Sequence, residues 1–327
     1  MTKYRFLIAA AALAISVSAA AQEGQGIWSK AAPLPAPRSE LQTVALNGKI
    51  YAIGGNLAVT RDGKQEILPD SGISQVYDPK ADTWRDLKPM PKGANHTGIA
   101  VLNGKIYIAG GFLSRAHTVA TANAFVYDPA ADSWSEIAPL PSPRGAPAMI
   151  AFNGKIHSIG GRNINAGGAL ALHDVYDPAR NAWTKAAPLP TVRDHVGIAE
   201  VDGKIHVYVG RVTNDKTNVG LHDIYDPATD SWTAAPPMPF STSSGTFAQY
   251  RGRLFYLGGE CSEDNKTFPI NFAYDPKSAR WQRLADIPIA LHAQAAAATD
   301  DKLYMIGGST GCGATGILAD TFVFTLP

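Results

Sequence analysis

Counting back eight residues from a recurrent hairpin glycine aligns five short loops at Glu40, His96, Ala146, His195 and Ser244, and a weaker sixth alignment on Asp301 adds Ala293. Carboxylate and imidazole side chains at equivalent places in a ring of loops are the types that move protons or ligate metals, so Glu40, His96 and His195 are the candidate catalytic residues. One position earlier stand Ser39, Asn95, Gly145, Asp194, Ser243 and His292, and two positions earlier Arg38, Ala94, Arg144, Arg193, Thr242 and Leu291. A second set follows the glycine pairs described below: Asn56, Phe112, Arg162, Arg211, Glu260 and Ser309. Arg38, Arg144, Arg162, Arg193 and Arg211 could offer planar forks to a carboxylate. Equally, an arginine in a proline-rich loop can tie down backbone carbonyls. Asn95, Asp194 and Glu260 complete the expected ligand-binding set. The chain shows no Ser-His-Asp order, phosphate loop, nucleotide fingerprint or Cys-x-x-Cys pattern, so no cofactor and no metal are assigned.

These loops need a repeating scaffold, and the tryptophans display one. Trp28, Trp84, Trp134, Trp183, Trp232 and Trp281 are separated by 56, 50, 49, 49 and 49 residues. Tyr-Asp-Pro recurs in phase at Tyr77, Tyr127, Tyr176, Tyr225 and Tyr274. Glycine doublets close an apolar run at Gly54, Gly110, Gly160, Gly258 and Gly307, and shrink to Val209-Gly210-Arg211 in the fourth repeat. In the repeat that includes Trp183, Ala148 to Phe152 reads as a strand, Asn153-Gly154 as a tight type I′ turn, and Lys155 to Ile159 as its partner. Leu172 to Tyr176 supplies a third strand, and Trp183 lies on a fourth. A period near 50 built of short strands is the mark of a propeller blade.

The doublet after an apolar strand, the Tyr-Asp-Pro turn and the tryptophan beyond it resemble the kelch repeat. The expected fold is therefore all-β: a six-bladed kelch-type β-propeller of four-stranded antiparallel blades over residues 22–327. The last repeat has Phe322-Val323-Phe324 in place of Tyr-Asp-Pro and ends without a tryptophan, while Trp28 to Leu34 is an outer strand with no partners before it. The N-terminal strand is expected to complete the C-terminal blade and close the ring. His157 and His206 fill the position of Tyr51, Tyr107 and Tyr304, and His173 and His222 share a Leu-His-Asp context, so all four are expected to be packing residues. The loop from Asn56 to Gln75 is about six residues longer than its counterparts, and reads as a lid, a contact arm or solvated surface.

Lys3 and Arg5 precede an apolar run from Phe6 to Val17 and a small-residue exit at Ala19-Ala20-Ala21, the pattern of a signal peptide cleaved after Ala21. A secreted or periplasmic protein is expected, with no membrane insertion after cleavage. In that oxidising setting Cys261 and Cys312, in loops of adjacent repeats, are expected to form a disulfide. The whole chain carries 29 basic and 28 acidic residues, so nothing marks it for nucleic acid.

The kelch resemblance implies a binding module, expected to be a monomer, recognising a protein or saccharide through loops around the channel. It also reaches exported six-bladed sialic-acid mutarotases (N-acetylneuraminate epimerases), whose Arg, His and Glu residues sit at the channel mouth. These blades, however, lack the large insertions of such enzymes. It touches galactose oxidase as well, whose copper ligands have no evident counterpart here.

Overall fold

The computed structural model describes residues 25–114, 117–212, 217–260, 266–299, 301–313 and 315–327. The expected signal segment, residues 1–21, lies outside them. Among the described residues there are six four-stranded antiparallel sheets. The innermost strands are Gln42–Leu46, Gly98–Leu102, Ala148–Phe152, Gly197–Val201, Thr246–Tyr250 and Ala295–Ala298. Each touches the next in cyclic order, and the last returns to the first. We number the blades one to six in that order.

The hairpin signals work as read. Asn47, Asn103, Asn153, Asp202 and Arg251 all take positive φ, each followed by a glycine that does too, which is the backbone of a type I′ turn. The ring closes as expected. Ile27–Ala31 pairs antiparallel with Thr321–Thr325, and the Trp28 ring lies 4.9 Å from Phe324.

Among the described residues six hydrophobic cores lie between adjacent blades, and a small seventh joins Ala58 and Ile317 of two loops. One joins Tyr51, Ile53 and Val76 of blade one to Ile99, Ile106 and Phe125 of blade two. Another joins Ala295, Tyr304 and Val323 of blade six to Leu41, Ile50 and Tyr77 of blade one. Polar latches reinforce these cores. Every tryptophan indole donates to a carbonyl just past the outer strand of the preceding blade: Trp28 to Ala285, Trp84 to Ala32, Trp134 to Lys88, Trp183 to Ala138, Trp232 to Ala187 and Trp281 to Pro236. In blades one to four the Tyr-Asp-Pro hydroxyl donates to an Asp or Asn five residues on. That same oxygen accepts a backbone N–H from the preceding blade, as Asp82 does from Ala32. The repeated aromatic residues thus fix blade to blade as well as filling volume.

The glycine doublets permit a close approach between main chains. The second glycine's N–H donates to a carbonyl of the following blade, Gly55 to Ala94 and Gly111 to Arg144 for example. A Cβ on Gly110 would lie 2.4 Å from that same Arg144 oxygen, so no other residue fits without displacing the contact. The long first loop is a β-hairpin, Asn56–Arg61 with Lys64–Leu68, joined to Arg38–Ser39 in a small three-stranded sheet.

Candidate functional site at the channel mouth

Glu40, His96, Ala146, His195, Ser244 and Ala293 all adopt positive φ, between 50° and 59°. Hydrogen bonds join the main chains of five of them into a belt along the channel rim. Glu40 N–H donates to Ala293 O, His96 to Glu40, Ala146 to His96, and Ala293 to Ser244. Outside the belt each blade contributes one rung, in which the residue before the belt position bridges the residue after the doublet. The rungs are Ser39–Asn56, Asn95–Phe112, Gly145–Arg162, Asp194–Arg211, Ser243–Glu260 and His292–Ser309. The channel beneath holds about 470 Å3 and is lined along the innermost strands by residues such as Val44, Val101, Ile150 and Phe247.

The structure gathers most of the expected set here. His96 Nε2 lies 2.7 Å from Glu40 Oε2, and its Nδ1 is 2.6 Å from Asn95 Oδ1. His195 Nδ1 contacts Asp194 Oδ1. Arg211 Nε donates to that oxygen at 3.0 Å, and Arg162 reaches Asp194 Oδ2 at 3.4 Å. Arg211 also faces Glu260 Oε1 at 3.5 Å, and Glu260 Oε2 lies 3.0 Å from His292 Nε2. Two members emerge only from the folded chain. His292 occupies an aligned loop position that the sequence does not distinguish from its five counterparts. His117 has no counterpart in other repeats, so periodicity could not flag it. Its ring stacks on Phe112 at 4.7 Å and lies 4.4 Å from His96.

Three expected ligand-binding residues belong elsewhere. Arg38, Arg144 and Arg193 have no exposed surface. Arg38 donates to Gly54 O, Ile73 O and Gln75 Oε1. Arg144 pairs with Asp174 at 2.8 Å, and Arg193 pairs with Asp223. Their guanidinium groups tie each blade's entry loop to its own third strand and offer nothing to a ligand. Burial lowers all three from the usual arginine value, Arg38 to about 10, with Asp86, Asp174 and Asp223 opposing the shift.

The electrostatics of the mouth separate acids from bases. Burial pushes the Asp194 carboxyl up, but Arg211, His195 and Arg162 outweigh it and hold the group ionised. Glu260 is likewise held below the usual range, His292 and Arg211 overcoming burial. Glu40 is lowered by His96, His292 and His195 against the same desolvation. Burial and then Arg211 push the His195 imidazole down, although Asp194 opposes them. His292 moves the other way, because Glu260 and Glu40 outweigh its burial.

Cys312 lies beyond the hairpin strand Ser309–Gly311. Cys261 is outside the described residues, and so therefore is the expected bridge between them. The loops that would carry it are adjacent: Lys266 bridges Gly311, and Thr267 Oγ1 donates to Thr310 O.

Residues 95–308 match the family model of the KLHDC2/KLHL20/DRC7 kelch-repeats domain, and residues 37–91 match a kelch motif. The chain is 32% identical over 93 residues to human kelch repeat and BTB domain-containing protein 12, covering 27% of this chain and 15% of that protein. It is 36% identical over 88 residues to kelch-like protein terF of Aspergillus terreus, covering 26% and 18%. With kelch-like ECH-associated protein 1B of Danio rerio it shares 34% over 86 residues, covering 26% and 14%. The matched segment thus spans less than a fifth of each of these relatives. The solved structure of YjhT superposes with a TM-score of 0.74 at 15% identity, covering 90% of this chain and 96% of that one. This likeness concerns the fold alone.

Proposed function

The chain belongs to the kelch-repeat family, and from that membership we propose that it is an exported binding protein whose ligand seats on the channel mouth. The observation that carries the reading is the contrast between scaffold and rungs. Latches, turns and doublets repeat from blade to blade, whereas the six rungs carry Ser–Asn, Asn–Phe, Gly–Arg, Asp–Arg, Ser–Glu and His–Ser. A rigid frame with varied residues at one rim is how loops acquire specificity. The rim groups are recessed: the side chains of Arg162, Glu40 and Glu260 are only 12%, 11% and 11% exposed. They suit a narrow polar group, either a side chain or terminus of a partner protein or a sugar.

Pull-down from the exported fraction, with calorimetry against acidic and neutral sugars, tests the reading. Arg162→Ala and Glu260→Gln are expected to weaken the recovered ligand about tenfold or more, the effect of losing a charged hydrogen bond. Unchanged affinity in both variants would remove the mouth as the binding site. Export and the disulfide belong to the same proposal. The mature protein is expected to begin at Gln22 and to show no reactive thiol when denatured without reductant; two thiols would rule out the bridge.

A second reading, a sugar mutarotase, is favoured by one observation: an imidazole depressed below its usual value, His195, beside carboxylates held ionised. In that reaction a base takes the anomeric hydroxyl proton while an acid protonates the ring oxygen. The ring C–O bond breaks, and reclosure on the other face returns both protons. Faster exchange of anomer signals in sialic acid on adding protein, lost in His195→Ala, would favour this reading over simple binding.

A further inference from the structure

The structure assigns a transition-metal site to His96, His117 and His195, a cluster taking a divalent ion of the zinc class. One ring nitrogen from each lies within 4.8 Å of the others. Tetrahedral zinc with bonds of about 2.0–2.1 Å places its donors about 3.4 Å apart. The cluster is thus within side-chain adjustment of ligation, and His117 arrives on a loop rather than a strand.

The surroundings prepare these imidazoles as ligands. His96 and His195 are each followed back by an acceptor: Asn95 Oδ1 lies 2.6 Å from His96 Nδ1, and Asp194 Oδ1 contacts His195 Nδ1. A ring N–H held by such an acceptor fixes the tautomer and turns the other nitrogen's lone pair to the metal, the usual support for ligating histidines. Two blades build this support at the same belt position, but at His195 the Arg211 Nη2 also lies 3.0 Å from Nδ1 and 3.4 Å from Nε2, so a metal bound there displaces that guanidinium. Asp194 is itself anchored by Arg211 at 3.0 Å, which balances its charge and orients it.

One atom is left in an unsatisfactory state. His96 Nε2 is buried without a hydrogen bond, although Glu40 Oε2 is 2.7 Å away. With Nδ1–H given to Asn95, this contact sets a lone pair against a carboxylate, unless a cation lies between them. A metal ion held by the three imidazoles resolves the conflict once His96 Nε2 and Glu40 Oε2 part from 2.7 Å, leaving the carboxylate beside the site as a counter-charge. A proton could also do so, and the experiment separates the two. Imidazole ligation suits zinc, nickel and copper rather than calcium or magnesium. The sequence shows no spacing motif for this site because its ligands come from three different loops.

The test uses the full exported protein, stripped with chelator, incubated with Zn2+ or Co2+, desalted and analysed for metal. One equivalent per chain is expected, with Co2+ giving the intense visible bands of tetrahedral coordination. His117→Ala and His117→Gln, both checked for unchanged melting, should weaken Zn2+ at least 100-fold. Asn95→Leu should weaken it about tenfold through the lost support. Replacing the distant pair as His157→Phe with His173→Asn should leave uptake unchanged. No stoichiometric metal at micromolar Zn2+, or equal uptake in both His117 variants, would overturn the site and leave the Glu40–His96 contact to a shared proton.

Discussion

A chain lacking residues 22–36 is expected to melt roughly 10 °C or more below the intact protein and to aggregate on heating. The deletion removes the strand Ile27–Ala31 from its ladder with Thr321–Thr325. It strips Trp28 from Phe324 and from its latch to Ala285, and takes Leu34 from the core between blades six and one. Loss of one large aromatic from a packed site costs about 3–5 kcal/mol, and a kilocalorie moves the midpoint of a large domain by about 2–4 °C. The newly bared edge at Thr321–Thr325 is also a template for pairing with another chain. Trimming the hairpin between Asn56 and Leu68 removes more exposed residues and should shift melting far less. Equal midpoints for the intact and N-terminally shortened proteins would disprove that the two ends hold the ring shut.

The second large effect is loss of stability in mild acid. His157 Nδ1 lies 2.9 Å from His173 Nε2, and His206 Nδ1 lies 2.9 Å from His222 Nε2. His173 Nδ1 donates to Ala187 O, and His222 Nδ1 faces Pro236 O. Those carbonyls fix the tautomers, so each outer Nε2 is an acceptor and an added proton there would oppose its partner's N–H. Burial, with the neighbouring imidazole, pushes His157 down to about 3 and His222 to about 3. Burial also takes His206 to about 4 and lowers His173, the latter against the pull of Ala187 O, Asp230 and Asp174. Lys155 and Arg144 add to the depression in one pair, and Arg193 in the other, whereas Asp202 opposes it.

The sign follows from which state binds protons. Above pH 6.5 both folded and unfolded histidines are neutral and contribute nothing. Below it the unfolded chain takes up protons that the folded chain refuses. Stability therefore falls as pH drops from about 6.5 toward 4, by about 1.4 kcal/mol per unit for each histidine kept neutral. Blade five shows how to remove the effect, because it carries Phe255 and Asn271 in these positions, and Asn271 Nδ2 donates to Ala285 O as His173 does to Ala187. Grafting that pair as His157→Phe/His173→Asn and His206→Phe/His222→Asn should flatten the decline in melting temperature between pH 6.5 and 4.5. A decline as steep as in the parent protein would place the sensitivity elsewhere.

Much of this architecture was legible because it is local. Asn-Gly and Asp-Gly dictate their hairpins, and Tyr-Asp-Pro with its following tryptophan recurs because each blade solves the same packing problem. Ring closure was legible from a missing tryptophan at one end and an unpartnered one at the other. The arginines were harder, since a loop position does not say which way a side chain points. The clue lay in a second column of the repeats. On the third strands, Gln75, Asp174 and Asp223 stand in the blades that hold Arg38, Arg144 and Arg193, while Phe125, Phe272 and Phe322 stand where the arginine is replaced by Ala94, Thr242 and Leu291. A charge faces a polar partner, and an apolar or small residue faces an aromatic ring. His117 offered no such column. It lies in a loop of irregular length, and only the folded chain brings it to His96.

The main-chain belt at the mouth has a consequence for how such a molecule changes over time. The aperture is drawn by peptide groups, four of whose links join Ser244, Ala293, Glu40, His96 and Ala146 in succession, so its width does not depend on which side chains stand there. Residues as unlike as glutamate, histidine, serine and alanine already occupy equivalent stations. Chemistry at the opening can be exchanged one blade at a time without re-engineering the frame, making the protein a socket with six interchangeable pins.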